Sequence, residues 1–304
     1  MQRVRINALK PGMVVGKPIY NEDGLILLNK GVVLQPSLIN RLEKMGCPAV
    51  YIEDPFCVDI EIREPIRDET RVFAQSRLKT VYKDFTTHSR LNSTEVRGIV
   101  HRLMDEILLN SHVLVNLTDI RTYDNYTFGH GVNVCLLAIL TGITMGLNQL
   151  ELRDLGIGAL LHDIGKLQLE KDLLLKPGEL TPDEYNQVKL HSRFGFETLR
   201  VIPDFSIFVA HIAFQHHERL NGEGYPRQLT SPHIHKYARI VAVADSYDAM
   251  TTERVYKPAL EPPRALAELQ QMSGTYFDSA VLEAFSQNIA LYPVGSWVRL
   301  DNGL

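Results

Sequence analysis

The sequence predicts a mainly helical protein with a small α+β module at its N-terminus. Two observations carry that fold class. From about 112 to 285, apolar residues recur at helical spacing between short loops rich in Gly and Pro, and strand signals are scarce. Residues 1–56 instead show short β-type runs separated by turn signals. A length of 304 residues, 45% hydrophobic and 22% charged, is that of an ordinary globular chain with room for about two domains.

In the first segment, Met13–Val15, Leu25–Leu28 and Val32–Leu34 read as β runs, set apart by Asn21-Glu22-Asp23-Gly24 and Lys30-Gly31. A helix over Ser37–Met45, capped by Gly46, leads to a strand at Ala49–Ile52. This module, 1–56, holds no histidine, so it reads as a docking, sensory or folding accessory and not as a place of chemistry. Residues 57–110 alternate charged and apolar groups at helical spacing (Val72, Phe73, Leu78, Val81 and Tyr82, then Val96–Leu109) and read as connecting helices. Residues 111–304 form the third division, with helical segments at 131–146, 152–162, 183–200, 205–217, 234–250 and 263–286. The tail turns β-like around Trp297–Leu300 and ends just after the turn signal Asn302-Gly303, which reads as an early stop.

Cys47, Cys57 and Cys135 fit neither a disulfide framework nor a CxxC zinc module, and Cys135 reads as packing. The opening residues lack the apolar run of a signal peptide, and the stretch at about 132–146 falls short of a membrane span, so a cytoplasmic chain is expected. A formal net charge of −4 argues against polymeric nucleic acid as a partner, while a phosphate pocket needs only local positive charge.

Eleven histidines are present, and five of them, His130, His162, His191, His216 and His217, fall near helix ends or glycine-bearing turns, as do Asp163 and Asp245. Imidazole and carboxylate suit Mn, Fe and Zn, ions that polarise phosphate oxygens. His162-Asp163 follows the apolar run Leu155–Leu161, and its carboxylate is of the kind that bridges two metals about 3.5–4 Å apart around a hydroxide nucleophile. Taken alone, the pair is equally a surface turn with a capping Asp. Lys166, one turn beyond His162, is expected on the same face, where it presents a point charge to a phosphate. His216-His217 ends an apolar run, and two adjacent histidines cannot both join one core stripe; metal ligation by one or both explains them best. The glycines at 222 and 224 permit a tight turn that would hold Tyr225 over a ligand. Asp245 and Asp248 share a helix face, one suited to a metal and the other to holding a histidine from behind. Arg254 and Lys257 follow within two turns as candidate phosphate contacts, and His88, His101, His112, His211, His233 and His235 read as structural or surface residues.

Taken in order, Tyr126-Thr127-Phe128-Gly129-His130, Leu161-His162-Asp163-Ile164-Gly165-Lys166, Leu175-Lys176-Pro177-Gly178, Lys189-Leu190-His191, Gln215 to Pro226, and Ala244 to Thr251 with Arg254 resemble bacterial HD-GYP domain proteins, a branch of the HD phosphohydrolase superfamily. Residues 3–55, with Leu9-Lys10-Pro11-Gly12-Met13, resemble the small domain often joined to them. The resemblance implies an all-helical HD-type catalytic scaffold that holds two or three divalent metals, iron or manganese, and hydrolyses cyclic di-GMP in bacterial signalling. Carried over by motif, His130, His162, Asp163, His191, His216, His217 and Asp245 are the implied ligands. Lys166, Arg254 and Lys257 are implied phosphate contacts, and Gly224 and Tyr225 line the substrate loop. Asp163 and Lys166 are then the catalytic pair: a metal-bridging hydroxide attacks phosphorus, Lys166 assists the electrostatics, and the 3′-oxygen leaves.

One position departs from the pattern. Where three-metal members carry a glutamate one turn before the first histidine, this chain has Tyr126, preceded by Asp124 and Asn125. Two metals and a linear pGpG product are therefore expected, with a third metal less so. A silent cyclic di-GMP receptor acting through a protein partner, and a hydrolase of another cyclic dinucleotide, are the competing readings. A homodimer is compatible with either.

Overall fold

The computed structural model describes residues 1–20, 25–45, 47, 49–54, 64–115, 126–176, 178–252 and 259–292, with the backbone alone for Arg3, Tyr126 and Thr127. The expectations for Asn21–Gly24, Gly46, Cys57, Asp124, Asn125, the Tyr126 side chain, Arg254, Lys257 and the tail from 293 lie outside the described residues. The chain divides into two compact units, one from 1–64, 115–127 and 290–304 and the other from 65–114 and 128–289.

In the first unit, β1 (Gln2–Arg5) pairs antiparallel with β4 (Ala49–Ile52), Gln2 opposite Ile52 and Arg5 opposite Ala49. β2 (Ile19–Tyr20) pairs with β3 (Ile26–Leu28). The runs expected at Met13–Val15 and Val32–Leu34 form single bridges, Val14 to Val33 and Val15 to Ile52, instead of strands. Helix α1 (Pro36–Lys44) starts on a proline, whose fixed φ and missing N–H suit a first turn. Leu38, Ile39 and Leu42 share one face of it and pack on a core of Val15, Ile19, Leu34, Cys47, Val50 and Ile52. The charged Gln-Arg-Val-Arg stretch of β1 gives no β signal in sequence; its pairing with the wholly buried β4 makes the strand.

The second unit is helical, as the spacing predicts. Helices α2 (Asp68–His88) and α3 (Ser93–Leu109) pack together, α3 burying Val96, Ile99, Val100, Leu103, Met104 and Ile107 at helical spacing. The buried Asn133, Thr141 and His130 are exceptions on α4 (Tyr126–Thr144), whose run from Val132 to Leu140 is otherwise apolar and buried. Helix α5 (Gln149–Leu160) opens on a capping box, Asn148 with Glu151, and packs on α3 and on α8 (Ile207–Gln215). After the short α6 (Lys171–Leu174), α7 (Pro182–Leu199) opens on a second box, Thr181 with Glu184. Helix α9 (Lys236–Thr251) packs on α8. The expected segment 263–286 is two helices, α10 (Pro262–Gln271) and α11 (Ser279–Ser286). Gly274, in the turn between them, adopts φ +74°, a conformation glycine takes without strain, and Asp278 caps the second helix through the N–H groups of Ala280 and Val281. No described helix is long and apolar enough to cross a membrane. Cys47 and Cys135 are buried and outside any disulfide, Cys135 within the α4 core.

Candidate metal centre

Four helices and one turn converge on the cluster. Helix α5 ends at Leu160, and His162 and Asp163 occupy the turn between it and a 3-10 segment, Ile164–Gln168. That segment lies directly on α7. A Cβ on Gly165 would sit 2.0 Å from the His191 carbonyl oxygen and 2.5 Å from the Gly195 nitrogen, so only glycine permits the approach. The contact sets Asp163 Oδ1 3.4 Å from His191 Nε2. Helix α8 stops at Gln215, leaving His216 as its C-cap and His217 just beyond. The adjacent histidines thus escape a single helical face because the helix ends between the apolar run and them.

Each of four imidazoles has its Nδ1 engaged. His162 Nδ1 lies 2.7 Å from the Ala159 carbonyl, His191 Nδ1 2.6 Å from that of Val188, and His216 Nδ1 2.9 Å from that of Ala213. Carbonyls only accept, so these nitrogens carry the proton, and in the neutral ring Nε2 is then the nitrogen with the lone pair. His130 Nδ1 faces a side chain instead, Asp248 Oδ2 at 2.7 Å. The Nε2 atoms gather around Asp163. Its Oδ2 is 3.4 Å from His162 Nε2 and 3.8 Å from His130 Nε2, while its Oδ1 is 3.4 Å from His191 Nε2 and 3.8 Å from His216 Nε2. Asp245 Oδ1 adds 3.2 Å to His130 Nε2. Two ligand groups result, Asp163 with His191, His216 and His217, and His130 with His162 and Asp245, the donor atoms of each lying within 4.8 Å of one another.

This donor set fits divalent metal ions on two counts. His162 Nε2 and Asp163 Oδ1 are buried without any hydrogen-bond partner, a state that costs about 1–3 kcal/mol per group unless a cation takes them up. For His191, His216, His217, Asp163 and Asp245 the protonation states are also those a metal needs. Burial, and then the neighbouring imidazoles, push His216 and His217 well below the usual imidazole range, and burial lowers His191. Burial resists ionisation of Asp163, but Lys166 and His162 outweigh it and hold the carboxyl well below its ordinary value. His130 does the same for Asp245. His130 is the exception: burial opposes its charge, yet the carboxylates of Asp245 and Asp248 raise it to about 9, so it must release a proton to take a metal.

Lys166 meets Asp163, Nζ to Oδ2 at 2.5 Å, and not the face of His162 one α-turn back. The reason is the 3-10 geometry, in which residues three apart eclipse. Tyr225 stacks on His217 with ring centroids 4.6 Å apart, its N–H donating to the His217 carbonyl at 3.1 Å. Gly224 makes that possible, because a Cβ there would lie 2.4 Å from the Arg219 nitrogen. Among the described residues, the structure brings His130, His162, Asp163, His191, His216, His217, Asp245, Lys166, Gly224 and Tyr225 to one place.

Other residues of the site were missed. Glu218 is buried and accepts the N–H groups of Arg227 at 2.8 Å and Leu229 at 2.9 Å, closing the loop that carries Tyr225. An acid directly after two histidines is the available signal in the sequence. Tyr185 and Lys189, four apart on α7, approach Tyr225: the two rings are 6.3 Å apart and the ammonium is 5.8 Å from the Tyr225 centroid.

Residues 111–281, more than half of the chain, match the HD domain family. A cyclic di-GMP phosphodiesterase of Pseudomonas aeruginosa is 31% identical over 258 residues, covering 84% of this chain and 62% of that protein. A cyclic di-GMP phosphodiesterase response regulator of Xanthomonas campestris is 44% identical over 149 residues, 49% of this chain and 39% of its own. A 3′3′-cGAMP-specific phosphodiesterase of Vibrio cholerae is 33% identical over 168 residues, 55% of this chain and 36% of its own. The chain thus spans less than two thirds of each of these relatives. Among solved structures, an HDG"Y"P protein from Bdellovibrio bacteriovorus superposes with a TM-score of 0.62 at 18% identity, over 93% of this chain and 97% of that one, which is a likeness of fold. With the ordered motifs, the helical core and the paired ligand groups in place, the chain belongs to the HD domain family and is HD-GYP-like within it.

Proposed function

We propose that the chain hydrolyses a phosphodiester bond of cyclic di-GMP to give linear pGpG, with His130, His162, Asp163, His191, His216, His217 and Asp245 holding two divalent ions, iron or manganese. The observation that carries this reading is the placement of Asp163, one carboxylate oxygen toward each ligand group. Bound divalent ions supply Lewis acidity toward a phosphoryl oxygen and acidify a water. The protein's own groups do the rest. Carbonyl-held Nδ1 protons keep the Nε2 atoms turned inward, and the apolar walls from α4, α5 and α9 restrict water. Half-buried Lys166 sets a positive charge beside Asp163, where charge develops on an attacked phosphoryl group. Tyr225, fixed on His217 by the Glu218-closed loop, supplies an aromatic face for the nucleotide. Arg254 and Lys257 are the proposed further phosphate contacts.

In this reading residues 111–304 are the catalytic domain, 57–110 connecting helices, and 1–56 an accessory module through which a signalling protein or a second copy of the chain acts. The V. cholerae relative named for 3′3′-cGAMP favours a second reading, the same chemistry on a mixed cyclic dinucleotide. Anaerobic turnover of each dinucleotide by Mn- or Fe-loaded protein, with products separated by chromatography, tests both. Linear pGpG from cyclic di-GMP is expected. Complete hydrolysis to GMP would remove the product assignment, turnover of 3′3′-cGAMP alone would favour the second reading, and loaded protein that turns over neither would overturn the enzyme.

A further inference from the structure

We propose that Arg71, on α2, is a positioning residue of the metal centre, acting on His130 through Asn133 and Asp248. The inference rests on the metal-centre reading above and adds to it a residue forty positions before the segment that matches the family.

The chain of contacts is continuous and buried. Arg71, 6% exposed, donates from Nη1 to Asn133 Oδ1 at 2.8 Å. Asn133, 1% exposed and three residues after His130 on α4, donates from Nδ2 to Asp248 Oδ1 at 2.8 Å. The second Asp248 oxygen faces His130 Nδ1 at 2.7 Å. Chemistry fixes the direction of each link. A guanidinium has donors only, so it selects the oxygen end of the Asn133 amide and turns the NH2 end toward Asp248. An Asp248 carboxylate held on one side by that NH2 accepts the His130 Nδ1 proton on the other, which leaves Nε2, 3.2 Å from Asp245 Oδ1, as the ring nitrogen turned toward the ligand group.

His130 differs here from its neighbours. His162, His191 and His216 hand Nδ1 to backbone carbonyls of their own helical turn, which no substitution removes. The Nδ1 partner of His130 is a side chain on α9, whose orientation is set through α4 from α2. The ligand group of His130, His162 and Asp245 therefore depends on a side chain of α2, and that of Asp163, His191, His216 and His217 does not.

The test is metal titration of chelator-stripped full-length protein with Mn2+ by calorimetry, and with Co2+ by its visible absorption. For Arg71→Met, which keeps the volume and removes charge and donors, one of the two binding events is expected to weaken about 10- to 100-fold, as for lost partners behind metal-bound histidines. Its Co2+ absorption should change while the other event keeps its wild-type affinity. Arg71→Lys, with one ammonium donor for Asn133 Oδ1, should recover most of the loss. If Arg71→Met does not fold, Asn133→Leu interrupts the same contacts from within α4 and must give the same one-site loss. Wild-type affinities and spectrum in either folded variant would overturn the role of Arg71, as would equal weakening at both sites. Wild-type protein that binds neither ion would overturn the metal centre itself, a separate outcome.

Discussion

Gly165→Ala tests whether backbone contact, and not only ligand identity, assembles the metal centre. A methyl at 165 meets the His191 carbonyl oxygen at 2.0 Å and the Gly195 nitrogen at 2.5 Å, where ordinary contact begins at 3.4 Å. Both obstacles are main chain, so no rotamer change relieves them. The 3-10 segment must retreat from α7 by about 1.4 Å to regain van der Waals distance. Overpacking of this kind costs about 1–3 kcal/mol, and an unyielding backbone places this case at the upper end. The retreat also carries Asp163 away from His191, now 3.4 Å apart, and ligand atoms bind such ions at roughly 2 Å with little tolerance. Gly98→Ala on α3, where a Cβ meets nothing within 4 Å, is the control and should stabilise by up to about 1 kcal/mol. Urea midpoints and metal content per chain are the assays. A Gly165→Ala protein with an unchanged midpoint and a full metal complement would refute the argument that this approach builds the site.

Asp163→Ala is expected to abolish turnover and strip metal from both ligand groups, whereas His162→Ala should abolish turnover and spare the group of His191, His216 and His217; full metal occupancy in both variants would sink the bridging role. Glu218→Ala removes the acceptor for two loop N–H groups, each such bond to a charged group being worth about 1.5–3 kcal/mol, so the denaturation midpoint should fall and the substrate KM rise more than kcat drops. An unaltered KM would separate Glu218 from the Tyr225 loop. His235 caps α9 by accepting the Tyr237 N–H on Nδ1, and burial with the charges nearby pushes its pKa down to about 4. Because the folded pKa lies below the unfolded value of about 6.5, this contribution is complete above that pH and is lost as the pH falls toward 4. His235→Asn keeps a capping acceptor without the titration and should flatten the stability profile across that window; identical slopes for the two proteins would refute it.

Much of the helical unit is legible because its signals are local. The Val96 to Ile107 stripe, the Asn148 and Thr181 capping boxes and the apolar run of α4 each specify their helix within a dozen residues. The histidines and acids of the cluster are legible for a related reason: each sits at a helix end or beside a glycine turn, where a polar group on an apolar segment asks for a partner. What the sequence does not carry is pairing at a distance. β1 is a strand only because Ala49–Ile52 lies beside it, and the β runs at Met13–Val15 and Val32–Leu34 find only the isolated bridges Val14 to Val33 and Val15 to Ile52 where two full strands would need longer partners.

The same limit explains why Lys166 faces Asp163 and not His162, and why nothing in the sequence marks Arg71. An α-helical period through His162 puts Lys166 beside it, but the chain tightens to a 3-10 turn because Gly165 is pressed against α7, a contact with residues 26 and 30 positions later. Local spacing can therefore name the participants while tertiary packing decides who faces whom. Arg71 lies early in a helix of mixed composition, with no histidine near it and no glycine turn, and an arginine there reads as solvated surface. Its burial follows from where α4 and α9 run, helices that begin more than fifty residues later. A burial cost as large as that of a guanidinium is not sustained without ordered acceptors, and one acceptor it finds is the amide that orients the carboxylate behind His130. Buried charge outside a motif is thus the place to look for what supports the motif, because the packing that hides the charge must also supply its partner.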